Sequence, residues 1–377
     1  MKQVLLWLVA ILFSCRPLVT TFDDVESAEI YTASSTSDPP ETIENLKVMT
    51  WNIRFGAGRI PFFGDSCGDR VLMTETETIE YLQAIADYID TMMIKPDILL
   101  LQEVDISSKR SAYVNQLQWL LNNITHFNYG AYASMWNVEL IPSDGLGKID
   151  AGNAILSRWE ITDAERIKLP LRTDQDDLTQ YFYIRRNILK AKIDLPIEND
   201  FYAVNIHATA FATDDTKQKH IAKYKDVLDD LVDQGAFFIT GGDMNSIPTD
   251  AEPFDFCEID NCDDENFHTD IDGGPHKEGS YFNNFPAVGN YPSEKNLLQP
   301  FYNDSTNYFP AIKFEDRNSE DHFTHCTYNI NEVFRFWDRK LDYLFTNKEN
   351  WGSTGKTHQD AFDYSDHAPV SATLTFP

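Results

Sequence analysis

Repeatedly along this chain a short greasy run stops at a side chain that can bind a metal or a phosphate. "VMTWN" ends at Asn52, "DILLLQE" at Glu103 and "FYAVNIH" at His207. "FFITGGDMN" ends at Asp243 and Asn245, "KLDYLF" opens with Asp342, and "SDHAPV" sets Asp366 and His367 before a last apolar run. Runs this short and apolar are strands that a sheet buries on both faces. Polar groups at strand ends converge in space, so one cleft can collect them.

Between the strands lie helices. In "ETETIEYLQAIADYIDTMM" the residues Ile79, Leu82, Ala86, Ile89 and Met93 share a helical face, and Pro96 stops the helix before the next strand. Residues 108–122 read as helical. After Asp214, Ile221, Tyr224, Leu228 and Leu231 recur at helical spacing. "LKVMTWNI", "GNAILSRW", "RRNILKAKID" and "APVSATLTF" read as strands, and the alternating polarity of 186–194 predicts antiparallel neighbours in mixed sheets. Residues 250–335 depart from this pattern. They are rich in Phe, Tyr, Asn, Asp and Pro, and a stretch so long and aperiodic is expected to be a functional insertion or lid.

The start of the chain predicts export. Residues 1–15, "MKQVLLWLVAILFSC", carry Lys2 and an apolar stretch from Val4 to Phe13, too short to span a bilayer comfortably. Leu12-Phe13-Ser14-Cys15 is similar to a bacterial lipobox, which would lipidate Cys15 and tether the protein to a membrane surface; an ordinary secretory signal with an incidental cysteine is the alternative. Residues 16–45, with "TASSTSDPPET", are expected to be a flexible tether without a fold of their own. Residues 46–377 form one domain, expected to be monomeric. Cys67, Cys257, Cys262 and Cys326 remain, an even number; a disulfide closing the small Cys257–Cys262 loop and free thiols both fit. The spacing matches no common zinc pattern.

Each polar residue has an ordinary explanation alone: a turn for Asn52 and Asp366, a surface charge for Glu103, a core histidine for His207, an Asx-turn for Asp243 with Asn245. Their joint occurrence is what these explanations do not supply. The motifs "TWNIR", "LLLQEVD", "GNAILSR", "NIHATA", "GGDMNSIP", "LDYLF" and "SDHAPV", in this order, resemble the endonuclease/exonuclease/phosphatase superfamily from Leu46 onward. That superfamily includes pancreatic-type deoxyribonuclease, abasic-site endonucleases, neutral sphingomyelinases and inositol-polyphosphate 5-phosphatases.

The resemblance implies an α/β fold, a four-layer α/β sandwich of two mixed β-sheets flanked by helices. It also implies roles. Glu103 would bind Mg²⁺ (Mn²⁺ as a substitute) with Asn52 beside it as ligand or water-holder. Asp243 would orient or deprotonate the attacking water, Asn245 would hold a phosphate oxygen, and His207 and His367 would donate to phosphoryl oxygens. Asp342 and Asp366 would fix the histidines or assist the metal. The chemistry is coherent, because phosphoester hydrolysis needs in-line attack and stabilised phosphoryl charge rather than a covalent nucleophile. A carboxylate-rich site also needs a cation to accept an anionic substrate. No GxSxG elbow, Walker loop or HExxH is present.

Substrate class is narrowed by charge. With 60 acidic against 31 basic residues the net charge is −29, which disfavours nucleic acid. His207 is similar to the deoxyribonuclease, sphingomyelinase and 5-phosphatase branches. The expectation is an exported phosphodiesterase acting on a lipid head group or small phosphorylated molecule. A secreted nuclease and a catalytically silent binding protein on the same scaffold are the rivals.

Overall fold

Strand β3 (Asn45–Asn52) shows how the layers are built. Leu46 and Val48 face a core between two sheets, whereas Met49 and Trp51 face a layer of helices. Cover on both sides is why the strand is apolar without alternation. The computed structural model describes residues 18–63, 68–93, 95–210, 212, 214–251, 268–269, 275–276, 296–302, 307–326, 337–348 and 350–376.

The first sheet runs, in spatial order, β15 (Lys356–Thr357), β16 (Val370–Thr375), β3, β4 (Ile98–Asp105), β6 (Gly147–Ser157), β5 (Tyr129–Ile141) and β2 (Glu29–Thr32). The second runs β1 (Val25–Ser27), β7 (Ile161–Lys168), β8 (Asn187–Ile193), β9 (Phe201–His207), β10 (Phe237–Asp243), β14 (Asp342–Thr346) and β13 (Phe309–Pro310). A separate ladder pairs β11 (His268–Thr269) with β12 (Pro275–His276). Helices α1 (Glu75–Thr91) and α2 (Gln116–Asn123) cover the first sheet through Leu82, Ile85, Ile89, Leu117 and Leu120. Helix α4 (Thr216–Asp233) covers the second through Ile221, Tyr224 and Leu228, and a short α3 (Asp177–Phe182) lies between β7 and β8 in the chain. The result is the expected four-layer α/β sandwich, and β8 is antiparallel to both its neighbours, as its alternation predicts.

Topology decides where the polar strand ends go. Each sheet has one parallel pair joined through a helix, β3–α1–β4 and β9–α4–β10. Parallel strands put their C-terminal ends at one edge. Strands β14 and β16 run antiparallel to β10 and β3, in registers that pair Asp342 with Asp243 and Val370 with Thr50. Their N-terminal ends therefore arrive at that same edge. This is why the first four runs end in polar residues and the last two begin with them.

The structure corrects three expectations. Residues 16–45 are not a structureless tether where described: Val25–Ser27 pairs with β7 and Glu29–Thr32 with β5. These are edge strands facing solvent, so their polar composition hides them. Met93 does not extend the buried face of α1; the backbone turns extended at Met92 and leaves Met93 99% exposed. The helix expected over 108–122 is a turn of 3₁₀ helix at Lys109–Ser111 followed by α2. Much of 250–335 lies outside the described residues, as do Cys15, Cys67, Cys257 and Cys262. The described part contributes Leu297, Leu298, Phe301 and Tyr308 to the core beneath α4. Cys326 is a buried free thiol that accepts a hydrogen bond from Arg59.

Candidate active site

Asn52, at the end of β3, is the hinge of the site. Its Nδ2 donates to Glu103 Oε1 at 3.3 Å and to Asp243 Oδ2 at 3.1 Å, while its Oδ1 accepts from the Arg54 backbone N–H at 3.0 Å. Glu103 reaches Asn52 because the β4–β6 ladder slips between Leu101 and Val104. Glu103 itself takes a left-handed φ of 57°, sparsely populated for a residue with a Cβ. That irregularity turns the carboxylate out of the ladder and leaves it partly exposed at the lip.

Asp243 lies deeper. The glycines before it permit close packing: a Cβ on Gly241 would sit 2.1 Å from the Tyr343 carbonyl oxygen, and one on Gly242, at φ +133°, 2.0 Å from that of Ile206. Asp243 Oδ2 is 3.2 Å from His207 Nε2 and 3.7 Å from His367 Nε2, and its Oδ1 accepts from the Asn245 backbone N–H at 2.9 Å. Burial pushes this carboxyl up, but His367, His207 and the Asn245 amide overcome it and hold Asp243 well below the usual carboxylate range. Asn245 adopts φ 48° and donates from Nδ2 to the Ala208 carbonyl at 3.0 Å; Lys217 Nζ bonds its carbonyl at 2.9 Å.

His367 Nδ1 is 2.7 Å from Asp342 Oδ2, and both groups are buried. Burial alone lowers an imidazole, yet Asp342 and Asp243 raise His367 well above its ordinary value. The loop carrying it is clamped to β3: Trp51 Nε1 donates to the His367 carbonyl at 2.8 Å, and Ser365 Oγ donates to the Asn52 carbonyl at 2.7 Å. His207 shifts the other way. Burial, aided by the nearby Arg186 charge, outweighs Asp243 and keeps it neutral at pH 7.

All eight residues singled out in the sequence meet at this edge, in two groups. Asn52, Glu103, His207, Asp243, Asn245, Asp342 and His367 form one connected cluster centred on Asp243. Asp366 points to its flank, where Arg54 Nε approaches its Oδ2 at 3.4 Å. Sequence reasoning missed the polar lock beneath. Gln102 Nε2 donates to Asn205 Oδ1 at 2.7 Å, and Asn205 Nδ2 donates to the carbonyls of Leu101 at 2.8 Å and Ala154 at 2.9 Å, tying the sheets together. The sign was an amide at an inward position of "VNIH". It also missed Arg186, which is buried with Nε and Nη1 unpartnered, and His325, which stacks edge-on against His367.

The fold and this grouping of carboxylates, amides and imidazoles are those expected of a family whose members are generally metal-dependent phosphoester hydrolases. A model of the Endonuclease/Exonuclease/phosphatase family matches residues 49–367, and the chain belongs to that family. Among solved structures it is similar to an endonuclease/exonuclease/phosphatase from Beutenbergia cavernae, with 16% identity and TM-score 0.54, covering 89% of this chain and 72% of that one. A family protein from Leptotrichia buccalis aligns at 16% identity and TM-score 0.51, over 88% of this chain and 100% of its own. A search of curated proteins finds no match.

The donor set fits a hard divalent ion. Glu103 and Asp243 converge on a single amide nitrogen, so two carboxyl groups lie close together. Carboxylate and amide oxygens, with Glu103 partly exposed, are donors of the kind that suit Mg²⁺ or Mn²⁺.

Proposed function

We propose that this protein is an exported, monomeric, Mg²⁺-dependent phosphodiesterase acting on a lipid head group or a small phosphorylated molecule. The observation that carries the reading is the convergence on Asp243 Oδ2 of Asn52, His207 and His367 at 3.1, 3.2 and 3.7 Å, with Asp342 behind His367.

In this reading Glu103 holds the cation with Asn52 beside it, and the bound ion supplies charge neutralisation at phosphorus. Asp243, kept ionised, orients water for in-line attack. His367, kept protonated by Asp342, donates from Nε2 to a phosphoryl oxygen as negative charge builds. The Asn245 amide holds another oxygen, neutral His207 keeps Asp243 in place through its Nε2, and buried Arg186 adds positive charge beside His207. Export rests on the apolar segment after Lys2, and membrane attachment on Cys15. The preference for a small or lipid substrate over nucleic acid rests on the net charge of −29.

A phosphoester panel tests it: sphingomyelin, phosphoinositides, small diesters and plasmid DNA, each with Mg²⁺. Head-group or small-diester turnover is expected, abolished by EDTA, restored by Mg²⁺ or Mn²⁺, and absent in folded His367→Ala and Asp243→Asn. Preferential plasmid nicking would favour the nuclease instead. Near-wild-type turnover by either variant, or indifference to chelator, rejects the site.

A further inference from the structure

His325 plays no part in the arrangement above, yet it stands beside it. His325 and His367 are directly paired in an isolated antiparallel bridge. Residues opposed in this way project side chains from the same face at close range. Backbone bonds on either side hold the register: Cys326 N–H to the Asp366 carbonyl at 3.0 Å, and Ala368 N–H to the Thr324 carbonyl at 2.6 Å. The two rings lie 5.0 Å apart at 75°.

Each imidazole is backed by a buried carboxylate. His325 Nδ1 is 3.1 Å from Asp338 Oδ1, and His367 Nδ1 is 2.7 Å from Asp342 Oδ2. Asp338 is fixed in turn by Arg339, whose Nε and Nη2 donate at 2.7 and 2.8 Å. A carboxylate on Nδ1 sets the tautomer and orientation of an imidazole and leaves Nε2 for an outside ligand. Asp366 completes the set, since one ligand atom from each of His325, Asp366 and His367 lies within 4.8 Å of the others.

We propose that His325, Asp366 and His367 form a site for a borderline-soft divalent transition ion of the zinc type, distinct from the hard-cation position at Asn52 and Glu103. Two imidazole nitrogens and one carboxylate favour zinc or cobalt over magnesium, and three protein ligands leave a fourth position for water. Asp366 is shared. Its Oδ2 faces Arg54 Nε at 3.4 Å and its Oδ1 accepts from Ser365 Oγ at 3.2 Å, so the ion competes with Arg54 for the remaining lone pairs. An ion here occupies His367 Nε2, which the proposed hydrolysis needs as a donor. The site is therefore inhibitory; that consequence rests on the functional reading, whereas the binding does not.

Cobalt titration of the full-length protein in saturating Mg²⁺, followed by visible ligand-field absorption, tests the site without turnover. Wild type and Glu103→Gln are expected to take up the same cobalt with the same band, bleached by Zn²⁺. His325→Gln and Asp366→Asn are expected to lose one equivalent and that band, with circular dichroism unchanged. If either of the two fails to fold, the other decides. An unaltered band in folded His325→Gln or Asp366→Asn, or its loss in Glu103→Gln, overturns the proposal. On any substrate that is turned over, Zn²⁺ inhibition should weaken by about tenfold or more in His325→Gln. A chain that binds cobalt as expected but turns over nothing leaves the site standing and rejects only the hydrolase.

Discussion

Asp342 touches no substrate atom in the proposed mechanism, yet His367 depends on it. Asp342→Asn preserves the shape of the pair and removes the charge that keeps the imidazole protonated. The expected result is a fall in kcat on the order of 10²–10⁴ with little change in KM, by analogy with the loss of the carboxylate behind a catalytic histidine. The pH profile carries the sign. Because the His367 value is raised, wild-type activity persists through neutrality and declines only as pH rises through that value. In the variant the decline should move to lower pH. The residue types of the site were legible in the sequence, because acids, amides and imidazoles at the ends of greasy runs are unusual. Which aspartate backs which histidine was not. The Asp342–His367 contact is set by the packing of β14 beside the β16 end of the other sheet, and no spacing along the chain encodes it.

At the scale of elements, the β5–β6 hairpin holds a carboxylate that has no place in catalysis. Asp150 accepts from Tyr132 Oη at 3.0 Å, Ser134 Oγ at 2.8 Å and Asn137 Nδ2 at 2.9 Å. Burial nonetheless outweighs these donors and pushes Asp150 up to about 6. An acid raised in the folded state contributes stability that is complete below its unfolded value, about 4, and is lost as pH rises through about 6. Unfolding free energies at pH 4.5 and 7.5 should therefore differ more in wild type than in Asp150→Asn, by about 2 kcal/mol. Equal pH dependence in both proteins would refute this. Elements were legible where period and breakers agreed, as in α1, capped by Thr74 and Glu77, and in β10. Strands β5 and β7 were not, since β5 mixes Trp, Asn, Glu and Gly along 13 residues and pairs through two register shifts.

For the molecule as a whole, the misread segment is the informative one. Residues 18–45 put β1 on one sheet and β2 on the other, so a single stretch of chain straps both layers along one side. A protein beginning at Leu46 should lose several degrees in Tm and bare the flanks of β5 and β7. Scanning calorimetry checks the first effect and light scattering the second; an unchanged Tm would show that the strap bears no load. Composition could not reveal it. A strand that faces water and bonds along one flank needs little grease, so its polar sequence looks like linker.

Among the described residues, the outermost strand at each margin of the two seven-stranded sheets is two to four residues long: β1, β2, β13 and β15. One of them also ends in Pro310, which has no N–H to offer a newcomer. A stray extended peptide, including one from another copy of this chain, finds too few free backbone groups in a row to zip onto.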